Sequence, residues 1–290
     1  MTNSIKILRS VQQVRQWRLQ CKSSVGFIPT MGALHAGHCS LIKQSIKEND
    51  FTVVSIFVNP SQFGPNEDLD NYPRTLEKDL EILQNGYKVD AVFVPKVSEI
   101  YPSGIVLDVN QQRGTFVSVH GCSEQLEGVT RPQFFRGVAT VVTKLLNVVQ
   151  PSRIYFGQKD AQQCVVIKNL VKDLLINTEV RIMPTLRESN GLAMSSRNEY
   201  LSKEIRMESS QIYKALKIGE EKYRQSNDSK EIIDTIRQNL KDPIEIEYIA
   251  ISHPDTLEDL EIAIPGAIVS IAVKVPKEDG KARLIDNIIL

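Results

Sequence analysis

Short apolar runs alternate with segments of helical periodicity over the first two-thirds of the chain. The apolar runs predict strands at residues 25–28, 52–58, 91–94, 153–156 and 179–183. Amphipathic helices are predicted between them, at residues 39–47, 75–83, 138–149 and 162–174. Strands that alternate with helices form parallel βαβ units, and such strands are apolar throughout because helices cover both faces. We therefore predict an α/β fold, a Rossmann-like parallel sheet with helices on both faces.

The pattern changes after about residue 186. Residues 202–224 have the periodicity of one long helix, and Asp228 begins another, with an acidic residue three positions later. Three strands are predicted next, at residues 246–251, 267–275 and 282–285. Because helices and strands in separate blocks are typical of α+β domains, we expect a Rossmann-like domain over 1–186 and a smaller α+β domain over 187–290. Residues 107–119, where a glycine interrupts an alternating pattern, are expected to form a β excursion from the main sheet.

Charge and composition exclude several classes of protein. The 290 residues include 35 Lys+Arg and 35 Asp+Glu, so the formal net charge is zero. Nucleic acids and anionic membranes bind basic proteins, so neither is expected as a partner. No apolar run approaches the ~20 residues that span a membrane, and the first ten residues lack a signal-peptide core, so we expect a cytoplasmic protein. In that reducing compartment the four widely spaced cysteines are expected to be buried apolar residues.

A turn that contains Gly32 and Gly37 follows the first of the buried strands and precedes a helix. Small residues let backbone N–H groups approach a ligand, and a helix N-terminus favours negative charge, so we expect phosphate to bind there. The two glycines have the spacing of a P-loop. However, His38 replaces its lysine and Cys39 its Ser/Thr, which excludes that motif.

His35 and His38 in this turn have three possible roles. As zinc ligands they would need a third partner, which the neighbouring sequence does not suggest. As structural residues they would only complete the turn. We favour imidazole donation to phosphate oxygens, which would stabilise the charge on a leaving pyrophosphate. The H-x-G-H pattern after a strand is that of the HIGH-type nucleotidyltransferases, which also need a second phosphate-binding loop.

Two later segments could complete such a site. Ser195, Ser196 and Arg197 offer two hydroxyls and a guanidinium at the domain junction, although alone they would be an ordinary polar loop. Lys159 follows a strand at the carboxyl edge of the sheet, where open α/β sheets bind ligands, and it can offset phosphate charge. Asp160 beside it could simply cap the next helix.

Neutral amides are the candidates for binding an organic acid. Asn59 and Gln62 follow a strand, and Gln163 near a helix start is the third candidate. Gln162 and Gln163 could both lie on the helix surface, and we expect this position for Gln162. The chain has no Ser-His-Asp order, no cysteine beside a base and no close carboxylate pair. Positioning and charge stabilisation are therefore expected to carry the catalysis.

Six motifs in order give a specific resemblance to a known family. They are Pro-Thr-Met-Gly-Ala-Leu-His-x-Gly-His, Val-Asn-Pro-x-Gln-Phe, Tyr-Pro-Arg-Thr, Phe-Arg-Gly-Val-x-Thr-Val-Val-x-Lys-Leu, Gly-x-Lys-Asp-x-Gln-Gln and Leu-Ala-Met-Ser-Ser-Arg-Asn. The chain resembles the pantothenate synthetases (pantoate–β-alanine ligases) from about Val25 to the carboxyl-terminal Ala-Arg-Leu-Ile-Asp. The resemblance implies a homodimer that uses ATP and Mg²⁺ to join pantoate to β-alanine through a pantoyl-adenylate, releasing AMP and pyrophosphate.

The resemblance also implies roles for individual residues. The implied catalytic residues are His38, Lys159, Ser195, Ser196 and Arg197. The implied ATP-binding residues are Met31, Gly32, His35, Gly37, His38, Gly157, Gln158, Lys159, Asp160, Leu186, Met194, Ser195, Ser196 and Arg197. Gln62 and Gln163 would bind pantoate, with Asn59 as a further candidate beside them. Asp79 in the Tyr-Pro-Arg-Thr segment is the choice for the Mg²⁺ side.

The chain departs from the family pattern at three positions. Phe134 stands where many members have histidine, Asn190 where many have aspartate, and Gln158 where glutamate is common. None of these removes a group with an assigned role in the chemistry.

Two rival functions remain. An adenylyltransferase with a phosphate acceptor would need Arg or Lys in place of the amides. A catalytically silent nucleotide-binding regulator would not need His38, Lys159 and Arg197.

Overall fold

The computed structural model describes residues 5–65, 67 and 69–290 and divides into two units. The first unit comprises the described residues up to Phe156 together with Val166–Met183, and the second comprises Gly157–Val165 and Pro184–Leu290. The predicted domain boundary after Leu186 lies close to the last change of unit, between Met183 and Pro184. No pattern in the sequence indicated that Gly157–Val165 groups with the second unit.

The first unit is built on a six-stranded sheet with the order β1-β4-β3-β2-β5-β6. Its elements in chain order are β1 (Lys6–Leu8), α1 (Val11–Gln20), β2 (Val25–Thr30), α2 (Ala36–Glu48), β3 (Phe51–Ile56), α3 (Leu76–Gly86), β4 (Ala91–Phe93), α4 (Val97–Ile100), α5 (Glu127–Thr130), α6 (Phe134–Val149), β5 (Arg153–Gly157), α7 (Ala161–Asp173) and β6 (Glu179–Met183). The last residue of β5 and the first five residues of α7 group with the second unit. β2 pairs in parallel with β3 and β5, and β4 in parallel with β1 and β3. The predicted α/β class and parallel sheet are confirmed.

The core of this unit explains the unbroken apolar strands. Ile28 and Val54 on neighbouring strands are fully buried against Ile42 of α2 and Leu83 of α3. The alternate residues, such as Phe27, point to the opposite face and are also fully buried. Burial on both faces is why these strands do not alternate between apolar and polar residues. All four cysteines are buried, as predicted.

The predicted β excursion at residues 107–119 is wrong. This segment contains a 3-10 turn at Val109–Gln111 and no strand. Its backbone bonds within the 3-10 turn and to side chains: Asp108 caps the turn, and the Val117 N–H donates to Thr140 Oγ1 of α6 at 2.9 Å. A strand needs a neighbouring backbone to pair with, and here a helix occupies that place.

The second unit contains an antiparallel sheet with the order β7-β8-β9. Its elements are α8 (Lys203–Glu208), α9 (Gln211–Tyr223), α10 (Ser229–Gln238), β7 (Glu245–Ser252), β8 (Ile268–Lys277) and β9 (Gly280–Ile289). Apolar faces of α9 and α10 pack with this sheet into one core, which confirms the predicted α+β arrangement.

The single helix predicted over residues 202–224 is interrupted. Ser209 and Ser210 separate α8 from α9, and the Ser209 hydroxyl donates to the Ile205 carbonyl at 2.7 Å. Serine side chains compete for backbone groups in this way, and periodicity alone does not show it. Among the described residues, we find no helix that combines the length and apolarity needed to cross a membrane.

Candidate active site

The histidine turn, which we define as residues 30–38, connects β2 to α2 in the first unit. Gly32 and Ala33 have φ values of +87° and +50°, so two consecutive residues are left-handed. α2 begins at Ala36, three residues earlier than predicted, and His35 is its N-cap. His38 therefore lies in the first turn of the helix, and Met31 lies just before the left-handed pair.

The two histidines of this turn cap the helix reciprocally. The Gly37 N–H donates to His35 Nδ1 at 3.1 Å, and the His35 N–H donates to His38 Nδ1 at 3.4 Å. The ring centroids lie 4.1 Å apart. A ring nitrogen that accepts a hydrogen bond carries no proton, so each neutral imidazole holds its proton on Nε2. Both rings therefore have Nε2–H as their donor, the group that a phosphate oxygen requires.

Other backbone donors of the histidine turn are also used within the protein. The Gly32 N–H donates to Thr30 Oγ1 at 3.2 Å, and those of Ala33 and Leu34 donate to the Asp79 carboxylate at 3.0 and 2.8 Å. The expectation that backbone N–H groups approach a phosphate is therefore wrong for these three residues. Hydrogen bonds to an anion at this turn would have to come from other groups of the turn.

Asp79 lies at the start of α3 and is 1% exposed. Besides the two backbone bonds, its Oδ1 accepts from Thr75 Oγ1 at 3.3 Å. Its role as a Mg²⁺ ligand stays a prediction that these surroundings do not fit, since both oxygens already have donors. In the described part of the chain, no group of three His, Cys, Asp or Glu side chains could hold a metal ion.

The neutral amides of the first unit lie just after β3, around a 3-10 turn at Pro60–Gln62. Asn59 is 1% exposed, and its Nδ2 donates to Gln62 Oε1 at 3.0 Å and to the Gly137 carbonyl at 3.2 Å. Its Oδ1 accepts from the Tyr101 hydroxyl at 2.6 Å. With its donors and acceptor used in this way, Asn59 fixes neighbouring groups, and contact with a substrate is not supported by its geometry.

Gln62 gains a fixed orientation from this contact. Because its Oε1 accepts from Asn59, its Nε2 is the part of the amide left to donate to an oxygen of an organic acid. Burial raises the pKa of Tyr101 to about 12, although bonds to Ser61 and Asn59 oppose the shift. The Tyr101 hydroxyl therefore remains a donor at neutral pH and keeps Asn59 in place.

Arg131 contacts the segment that contains Gln62, and the sequence motifs did not identify it. Its Nη2 donates to the Gln62 carbonyl at 3.1 Å, its Nε donates to Glu67 at 2.9 Å, and its guanidinium lies 4.0 Å from the ring centroid of Phe134. Phe134, one of the departures from the family, thus supplies an aromatic face for a cation. A single arginine in a polar loop carries no pattern that could have identified it.

The lysine turn, which we define as residues 157–160, connects β5 to α7 and belongs to the second unit. Asn287 of β9 is 2% exposed, and its Nδ2 donates to the carbonyls of Gln158 and Lys159 at 2.8 and 2.9 Å. Gln158 Nε2 donates back to Asn287 Oδ1 at 3.2 Å, which the glutamate common in the family could not do. Lys159 Nζ lies 3.2 Å from Asp160 Oδ1, so the two side chains form an ion pair beside Gly157.

The two glutamines at the start of α7 differ in exposure. Gln162 is 5% exposed, so its predicted surface position is wrong, because the first turn of α7 is covered. Gln163 is half-buried and remains a candidate for substrate binding.

The segment around Ser195 forms a compact loop in the second unit. Ser195 caps a 3-10 turn at Ser196–Tyr200, and its hydroxyl accepts from the Arg197 N–H at 3.3 Å. The Met194 N–H donates to the Leu186 carbonyl at 3.0 Å, which joins two predicted ATP-binding positions. Ser196 is half-buried and Arg197 exposed, so hydroxyl and guanidinium can meet a ligand.

The Glu188 carboxylate links this loop to Arg206 through hydrogen bonds. It accepts from Asn198 Nδ2 at 2.8 Å and from Nε and Nη2 of Arg206, both at 2.8 Å. Burial alone would raise the pKa of Glu188, but the bonds from Arg206 and Asn198 outweigh it and lower the pKa. Asn190, which stands where many family members have aspartate, accepts from the Leu192 N–H at 3.0 Å through Oδ1. An aspartate oxygen would accept the same bond, so this departure keeps the turn.

Within the second unit, β9 contacts both phosphate-binding candidates. It touches the 3-10 turn at Gln158–Asp160 through Asn287 and also contacts the 3-10 turn at Ser196–Tyr200. The carboxyl-terminal strand thus supports both segments.

Known proteins that are similar to this chain agree on its family. A family profile described as Pantoate-beta-alanine ligase matches residues 4–289. The pantoate–β-alanine ligase of Saccharomyces cerevisiae is 47% identical over 99% of this chain and 100% of its own length. The pantothenate synthetase of Herpetosiphon aurantiacus is 46% identical over the same shares.

Solved structures agree with these relatives. The pantothenate synthetase of Thermus thermophilus superposes with a TM-score of 0.89 at 41% identity, covering 98% of this chain and 99% of the other. A pantoate–β-alanine ligase from Francisella tularensis, complexed with β-γ ATP and β-alanine, has a TM-score of 0.75 at 35% identity, covering 98% and 97%.

Proposed function

The chain belongs to the pantoate-beta-alanine ligase family, a family of ligases, and we propose that it joins pantoate to β-alanine through a pantoyl-adenylate. The observation that carries this proposal is the family match over residues 4–289. The donors of the histidine turn and the fixed amide of Gln62 are the chemical groups that such a reaction needs.

The first step transfers AMP to pantoate. A carboxylate oxygen of pantoate attacks the α-phosphorus of ATP, a new P–O bond forms, and the bond to pyrophosphate breaks. Negative charge collects on the departing pyrophosphate, and Nε2–H of His38 and Nζ of Lys159 are the donors that we assign to it. Gln62 Nε2 and Gln163 bind pantoate in this proposal, and Asn59 holds Gln62.

The second step forms the amide. The amine of β-alanine attacks the acyl carbon of the anhydride, AMP leaves with the bridging oxygen, and the amine loses a proton. Neither step needs a covalent bond to the protein. The remaining ATP contacts are assigned to Met31, Gly32, His35, Gly37, Gly157, Gln158, Asp160, Leu186, Met194, Ser195, Ser196 and Arg197.

Mg²⁺ enters this proposal as part of the Mg–ATP substrate. Mg²⁺ is commonly bound through substrate phosphates and water, with few protein ligands. The ATP and β-alanine named for the Francisella tularensis protein support the same ligands here. By resemblance we also propose that the protein is cytoplasmic and forms a homodimer. Analytical ultracentrifugation would test the dimer.

Isotope exchange between pyrophosphate and ATP tests the proposed route. We expect exchange that requires pantoate and does not require β-alanine, because adenylation precedes amide formation. Exchange without pantoate, or ADP as the product of the complete reaction, would contradict the adenylate.

A further inference from the structure

We propose that Asp79 is a positioning residue for the histidine turn and not a ligand of Mg²⁺. The inference rests on the proposed function in one respect, namely that the histidine turn binds ATP. Its two carboxylate oxygens accept from the consecutive N–H groups of Ala33 and Leu34 at 3.0 and 2.8 Å. These bonds tie the start of α3 to a turn 45 residues earlier in the chain.

The backbone of the turn needs such an acceptor. Gly32 and Ala33 are both left-handed, at +87° and +50°, and alanine adopts this conformation at a cost. Two adjacent N–H groups then point to one side, where a carboxylate can accept from each with a separate oxygen. The carboxylate thus stabilises the conformation that brings His35 to the N-cap and His38 into the first turn of α2.

The packing around Asp79 leaves no room for a hydrated ion. A Cβ atom added to Gly32 would lie 3.0 Å from Asp79 Oδ2 and 3.2 Å from Ile56 Cγ2, so the turn and the carboxylate are in close contact. Asp79 is 1% exposed, and Thr75 Oγ1 supplies a third donor at 3.3 Å. Mg²⁺ requires near-octahedral oxygen ligands and retains water, which this enclosed carboxylate does not offer.

Donors from the protein therefore surround the buried carboxyl group of Asp79. Two backbone N–H groups and one hydroxyl replace the water that an ionised carboxylate would otherwise bind. Leu34, the second of these N–H donors, has its side chain buried in the core with Ile28 and Leu83. Loss of the carboxylate would leave two N–H groups without this acceptor and would loosen the histidine turn first.

The test is Asp79→Asn, which keeps the shape and replaces one accepting oxygen by a donating NH₂ group. We expect the hydrogen-exchange protection of the Ala33 and Leu34 amides, measured by NMR relative to β3 amides, to fall about tenfold or more. The KM for ATP at saturating Mg²⁺ should rise by a similar factor, while Mn²⁺ binding to the nucleotide-free protein, followed by electron paramagnetic resonance, should not change. Thr75→Val is the milder variant, with smaller shifts in the same direction, should Asp79→Asn not fold.

A matched control is Asp90→Asn. Asp90 Oδ2 accepts from the Thr52 N–H at 2.7 Å, so this variant makes the same substitution at a carboxylate that accepts from backbone away from the histidine turn, and it should leave the KM for ATP unchanged. Protection that stays unchanged in Asp79→Asn, together with a Mn²⁺ site that is present in the wild type and lost in the variant, would overturn the proposal. If the wild type shows no pantoate-dependent exchange, the proposed function fails, whereas the amide and Mn²⁺ results still decide the role of Asp79.

Discussion

The histidine turn and the lysine turn have the same local plan but are held by opposite backbone groups. Each follows a strand of the parallel sheet and precedes a helix. In the histidine turn, Asp79 accepts from two backbone N–H groups. In the lysine turn, Asn287 donates to two backbone carbonyls. The second unit adds another carboxylate, Glu188, which binds side chains and not backbone.

This difference decides which groups can bind phosphate. The N–H groups of Ala33, Leu34, His35 and Gly37 donate within the protein, and the imidazoles of His35 and His38 are the donors that we assign to phosphate. The bonds from Asn287 occupy carbonyls, so they orient Lys159 without using a donor. The strand–turn–helix pattern is thus shared, and the chemistry differs because the supporting residue differs.

The largest expected effect comes from separating the two roles of His38. In His38→Asn, the amide Oδ1 can replace Nδ1 as the acceptor for the His35 N–H, so the helix cap survives and the Nε2–H is lost. We expect the pyrophosphate-exchange rate to fall about 100-fold, the scale for removing one transition-state donor. The melting temperature should change little, and both quantities are measured on the same preparation.

His120→Asn serves as the control for that variant. His120 is on the surface, with its side chain 85% exposed beside Glu124, and its replacement should leave the exchange rate unchanged. An exchange rate within about threefold of wild type in His38→Asn, far short of the loss expected for a transition-state donor, would show that His38 acts only as a cap.

The next effect tests the support of the lysine turn. Asn287→Asp removes both N–H donors and places a carboxylate against two carbonyls, so the turn should lose its position. We expect kcat/KM for ATP to fall about tenfold, since a buried group left without its partner costs ~1–3 kcal/mol. Steady-state kinetics with ATP as the varied substrate measure this.

Asn239→Asp is a matched control, because its amide also donates to a carbonyl, that of Thr235, but at an exposed helix end. Equal kinetic effects in both variants would show that Asn287 has no specific role at the lysine turn.

The architecture could be predicted because it follows from local patterns. Runs such as 25–28 are apolar since both faces of the sheet are covered, and sequence shows that directly. The failures at residues 107–119 and at Ser209 have a common cause. In each, a side-chain hydroxyl, of Thr140 or of Ser209 itself, bonds to the backbone, and periodicity does not report such bonds.

The candidate site could be predicted only as a set of residues. Motif order selected His38, Lys159 and Arg197, but the supporting contacts join positions far apart in sequence. Asn287 lies 128 residues from Lys159, and Tyr101 lies 42 residues from Asn59. A single sequence does not record which distant side chains share hydrogen bonds, and for that reason the roles of Asp79 and Asn59 needed the structure.

A smaller effect on kinetics is expected from removing the Tyr101 hydroxyl, which bonds to Asn59 and so supports Gln62. Tyr101→Phe and Tyr155→Phe each remove a buried hydroxyl, bonded at 2.6 Å to Asn59 and at 2.7 Å to Glu48. Each should lower the free energy of unfolding by ~1–2 kcal/mol. Only Tyr101→Phe should also raise the KM for pantoate, about threefold, because Asn59 then holds Gln62 less firmly. A KM for pantoate that rises equally in both variants would remove the link from Tyr101 to Gln62.

The smallest effect is a pH dependence of the second unit. The pKa of Glu188 is lowered from 4.5 in the folded protein, so its contribution to stability is present above pH 4.5 and is lost as the pH falls through the folded-state pKa. Glu188→Gln should lower the free energy of unfolding by ~1 kcal/mol at pH 7. Urea denaturation should show this difference from wild type shrinking as the pH falls below 4.5, because protonation removes the same charge. A difference that stays constant over that range would mean that the charge of Glu188 does not hold the loop, and that its shape alone does.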